Sequence, residues 1–175
     1  LAVLALVLGK HDEPNKIQPS AVKILQASVN LAGKTGDYEA AKKAYADLVS
    51  ATNVSADAGQ LEWKCVGDIA ELMEQIPLLD TNLKSALRPK RFPKSQDRAA
   101  GLAATLAAIA QVSMFDDSYC SDEADRDEWI ELCALMRDAA FEVGDAARRG
   151  SQEEATAAMQ PLKRTCDDCH DHFRE

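Results

Sequence analysis

The stretch Cys166-Asp167-Asp168-Cys169-His170 restricts this chain more than any other. Two thiols three residues apart face the same way on a helix, and the imidazole directly after the second stands beside them. That spacing is the attachment signature of c-type haem. Both thiols reach the vinyl groups of one porphyrin, and the histidine presents a nitrogen to the iron from one side. The same residues also admit a chance match, half of a zinc site, or a dithiol redox pair. A zinc site needs two further soft ligands at similar spacing, and the sequence holds no second C-x-x-C and no H-x-x-x-H. A redox pair opens a helix after a strand, whereas this motif falls late in a helical run. One covalent haem c is therefore expected, attached through Cys166 and Cys169, with His170 as proximal iron ligand.

The apolar pattern around the motif is helical. Ala155, Met159, Leu162, Cys166, Cys169 and Phe173 recur in steps of four and three, which places both cysteines on a buried seam and the haem inside the fold. Cys65, Ile69, Leu72, Ile76, Leu79 and Leu83 repeat the rhythm in a run starting at Leu61, where Pro77 should kink or divide the helix. Leu102, Leu106 and Ile109 mark a third helix over about 95–114. Trp129, Leu132, Met136, Ala139, Val143 and Ala146 mark a fourth, with acidic residues 122, 123 and 125 at its start, where the dipole favours them. Upstream, helices are expected over 17–32 and 37–51, separated by Gly33-Lys-Thr-Gly36. The fold class is all-α: an antiparallel four-helix bundle over 56–175 with an N-terminal helical extension over 1–55. A chain with 46% hydrophobic but only 5% aromatic residues suits closely packed helices.

The net charge of −9 repels phosphate backbones and anionic lipid, so nucleic-acid and membrane-surface roles are not expected. A basic or mixed-charge protein partner fits better. Leu1 to Leu8 is apolar but too short to span a bilayer, and a short buried helix is expected there. Cys65, Cys120 and Cys133 remain outside the motif. Cys65–Cys120 is the geometric favourite for a disulfide; three small buried residues is the competing reading.

Four seam-bearing helices ending in C-x-x-C-H resemble the cytochrome c-prime family, the class II c-type cytochromes. The motif stands at the C-terminal end and continues as His170-x-x-Phe173-Arg174. Trp129, Met136-Arg137-Asp138-Ala139-Ala140 and Ala146-Ala147-x-x-Gly150 look like that family's third helix and its turn. The resemblance covers about 61–175, and the chain as a whole looks most like the longer exported versions found in planctomycete-type bacteria. It implies that Arg174 lies near the proximal imidazole and that a residue of the first bundle helix faces the iron from the distal side. That position falls on Met73, the candidate sixth ligand; methionine at helical spacing is also ordinary core.

The resemblance implies an exported, periplasmic mono-haem cytochrome that carries single electrons and is not an enzyme. The runner-up is a five-coordinate haem protein that binds NO or CO. Peroxidase-like chemistry needs a distal acid/base, and near Met73 only Glu71 and Glu74 are at hand. Family members dimerise through the first two bundle helices, so a homodimer is a further expectation unless the added segment blocks it. His172 follows His170 by two, about 200° round a helix, and so cannot reach the opposite haem face. His11 reads as a surface residue, and Met114, Met136 and Met159 as core. Lys64 and Arg88 to Lys94 are either propionate partners or a solvated face.

Overall fold

Capping decides where the long helices begin. Asp68 accepts from the amides of Ala70 and Glu71 and starts α4, Ile69–Ala86. Asp122 accepts from Ala124 and Asp125 at 2.9 and 3.0 Å and starts α6, Glu123–Arg148. Each such cap is worth about 1 kcal/mol. At the far end of α6, Gly150 takes φ 78°, and the amides of Ser151 and Gly150 return to the carbonyls of Ala146 and Ala147. This glycine stop closes the helix and turns the chain into α7, Gln152–Phe173.

The computed structural model describes residues 1–54 and 60–173. These form α1 (Ala2–Gly9), α2 (Ala21–Ala32), α3 (Tyr38–Ala51), α4, α5 (Gln96–Ser113), α6 and α7, with short 3-10 turns at Gln18–Ser20 and Phe92–Lys94. No strand occurs among the described residues, so the chain is all-helical there. It divides into two compact units, Leu1–Gly67 and Asp68–Glu175.

In the first unit, α1, α2 and α3 bury Ala5, Ile24, Leu25, Leu48 and Ala51, and Leu61 and Val66 pack against them. The segment 60–67 therefore belongs with this unit, and the boundary falls later than position 55. That segment is also not helical, contrary to the expectation of a helix from Leu61. The Asp68 cap captures the first amides of α4, leaving Cys65 upstream of the helix.

In the second unit, α4 packs on α5, α5 on α6 and α6 on α7. One core collects Leu83 and Leu87 from the end of α4, Phe92 from the turn, Leu106 from α5, Val143 from α6 and Leu162 from α7. Each such fully buried side chain contributes about 1.5–3 kcal/mol. The α5–α6 seam is made of small residues, Ala99, Ala100 and Ala103 against Ala140, Gly144 and Ala147. A Cβ on Gly144 would lie 3.3 Å from that of Ala103, which explains the glycine. Both interior prolines, Pro77 and Pro161, sit within continuous helices, so Pro77 does not divide α4.

Candidate functional site

Cys166, Cys169 and His170 occupy the last two turns of α7. At about 100° per residue the three span an arc of about 100°, so they share one face. Both cysteines are half-buried and His170 is exposed. The His170 imidazole forms no hydrogen bond or ion pair with another described residue. Cys166 and Cys169 are both free thiols.

A second, smaller core lies against this face. Ile69 of α4 and Trp129 and Cys133 of α6 are buried there, and Leu72, Met73, Met114, Cys120, Cys169 and Phe173 pack against them. Trp129 anchors the group. Its indole N–H donates to the carbonyl of Ser113 at 2.7 Å, and the edge of its ring meets that of Phe173 at 5.2 Å between centroids. The cluster thus brings Met73 of α4 and Cys169 of α7 to the same core. Met114 also reaches it, but its sulfur already accepts from the Gln111 side chain.

The thiols are held neutral. Burial, and secondarily Cys166, pushes the Cys169 thiol up to about 11. Burial followed by the carboxylates of Asp167 and Asp80 raises that of Cys166. A dithiol oxidoreductase requires the reverse, a thiolate stabilised at a helix start. Here the motif lies at a helix end, where the dipole opposes negative charge. Among the described residues no group of three or more His, Cys, Asp and Glu side chains is placed to hold a metal ion. Two thiols and an imidazole on one face, beside an apolar core, do suit a covalently tethered macrocycle.

Other predicted positions separate. His172 turns toward α6, with Nδ1 3.4 Å from Glu128 and Nε2 3.8 Å from Asp125. Arg174 lies outside the described residues. The Arg88–Lys94 run follows the C-terminal end of α4, and α7 enters that end through Gln152, which donates to the carbonyl of Leu87 at 2.8 Å. That is the end of α7 opposite to the motif, so the run does not belong to this site. Lys64 belongs to the first unit. Cys65 and Cys120 fall in different units.

Cys133 is buried, as one of the two sequence readings expects, but its neighbours were not legible. Trp129 meets Phe173, and one turn inward on each helix stand Cys133 and Cys169. Burial, with Cys169 and Cys120 next in effect, pushes the Cys133 thiol up to about 12. The signal was present as Trp129 plus four and Phe173 minus four, but it is visible only once those two rings are known to touch.

No protein-family model, curated protein or solved structure matches this chain.

Proposed function

We propose that this chain is an exported, periplasmic mono-haem c-type cytochrome of the class II kind, a single-electron carrier rather than an enzyme. In this reading α4 to α7 form an antiparallel four-helix bundle and the first unit is an added segment. One observation carries the proposal: Cys169 and Met73 pack on one small core from different helices, with Cys166 and His170 on the same face of α7. When bound, haem supplies a one-electron iron couple tuned by its axial ligands and its burial.

The residues divide the work. Cys166 and Cys169 tether the macrocycle, and the rigid helix between them sets its orientation. His170 ligates from the α7 side, and Met73 is the candidate ligand from α4. Ile69, Leu72 and Trp129 exclude water beside it. Arg174 retains the role that the family resemblance implies, a charge near the proximal imidazole. The acidic surface favours a basic or mixed-charge redox partner.

The test is absorption spectroscopy of protein matured with haem, ferric and ferrous, before and after CO. A covalent haem spectrum that is low-spin, carries a sulfur-to-iron band and ignores CO supports the carrier with Met73 bound. A high-spin spectrum that shifts with CO removes Met73 as ligand and favours NO or CO binding. Protein that never acquires covalent haem overturns both.

A further inference from the structure

The basic run left outside the haem site has a geometry of its own. Arg88, Lys90, Arg91, Lys94 and Arg98 stand within residues 88–98, where Asp97 is the only carboxylate, in a chain of net charge −9. Elsewhere in this unit Lys84, Arg126, Arg137, Arg149 and Lys163 are matched with carboxylates. None of the five cations in the run forms an ion pair among the described residues.

Two of them line a notch of about 60 Å³, together with Asn82, Ser85, Ala86 and Ser95. Arg91 donates to the Ser85 hydroxyl, and Arg98 donates through Nη2 to Asn82 Oδ1 at 3.2 Å. Each guanidinium has five N–H donors, so both are oriented by α4 while most of their donors stay available. The notch also adjoins the start of α5. Ser95 is the N-cap residue, but its hydroxyl engages the carbonyls of Ala86 and Arg91, at 2.7 and 2.9 Å, and makes no cap bond to the first-turn amides. The start of α5 therefore has no side-chain cap bond, and Asp97 places a carboxylate in its first turn. Two oriented arginines facing one notch are the components of an oxyanion site.

We propose that the Arg91–Arg98 notch binds a phosphate group. The chain's net negative charge opposes approach to an anionic bilayer, so the group belongs to a soluble phosphate ester rather than a lipid headgroup. The site lies away from Cys166, Cys169 and His170, and the proposal stands whether or not haem is bound.

The test is calorimetric titration of the full chain with inorganic phosphate at fixed ionic strength. Arg91→Gln, Arg98→Gln and their double variant are compared with Arg126→Gln, which removes a cation from another face. Circular dichroism checks that each variant is folded. Saturable one-to-one binding is expected, weakened at least fivefold by either single change, lost in the double variant and kept in Arg126→Gln. Sedimentation with phosphatidylcholine vesicles, with and without phosphatidic acid, separates the sources. Capture by the acidic vesicles alone, lost in the double variant, moves the ligand to a headgroup and keeps the site. Absence of saturable phosphate binding together with no vesicle capture overturns the proposal. So does binding that Arg126→Gln weakens as much as the notch variants do.

Discussion

Trp129 and Phe173 meet edge to face at 5.2 Å, joining the first turns of α6 to the last turn of α7. This contact holds the end of α7 that carries Cys169 and His170. Phe173→Ala removes the ring pair and part of the small core, and a loss of about 1–3 kcal/mol is expected for this half-buried position. Urea unfolding followed by circular dichroism measures it. An unchanged midpoint would show that the contact does not hold α7 in place.

Met73→Leu nearly conserves volume and should cost under about 1.5 kcal/mol. In haem-loaded protein it should nevertheless convert a low-spin, CO-insensitive spectrum into a high-spin spectrum that shifts with CO. Identical spectra for Met73→Leu and the parent would exclude the sulfur as ligand.

In haem-free protein, Cys133 gives a pH dependence whose sign follows from burial. Its thiol is pushed up to about 12 in the folded state from an ordinary value near 9. Between those values the unfolded chain has lost the proton and the folded chain has kept it. The stability contributed is thus complete below about pH 9 and is lost as pH rises toward 12. Cys133→Ala should flatten that decline in urea midpoints taken at pH 8 and 10.5. Iodoacetamide at pH 8 should label the more accessible Cys120 before Cys133.

Two glycines of the second unit should respond in opposite ways to alanine. Gly101 lies in α5 with open space where a Cβ would stand, so Gly101→Ala should stabilise by about 0.5–1 kcal/mol. Gly150 has φ 78°, and its Cβ would lie 3.2 Å from Gln96 Nε2, so Gly150→Ala should cost about 1 kcal/mol or more. Thermal melts of the two variants displaced in the same direction would contradict the αL stop.

The helices were legible because their apolar residues repeat at steps of four and three, and the seam through Leu162, Cys166, Cys169 and Phe173 pointed at the site directly. Periodicity failed between Leu61 and Asp68. Leu61 and Val66 keep the spacing of the following helix, yet they pack on Leu25 and its neighbours, and the Asp68 cap begins α4 at Ile69. Helical spacing records which residues are buried; it does not record against what. The same limit applies to Arg88–Lys94, whose charge leaves propionate partners and a solvated face both open; the connection through Leu87 and Gln152 puts the run at the other end of α7.

The second unit has two separate cores, one around Leu83, Leu106, Val143 and Leu162 and one around Ile69, Trp129 and Cys133. The larger lies among residues with no part in the proposed chemistry, and the smaller borders the thiols. Substitutions around Met73 and Cys133 can therefore accumulate while the larger core maintains the fold. In such a scaffold, ligand preference can drift over evolutionary time without the architecture drifting with it.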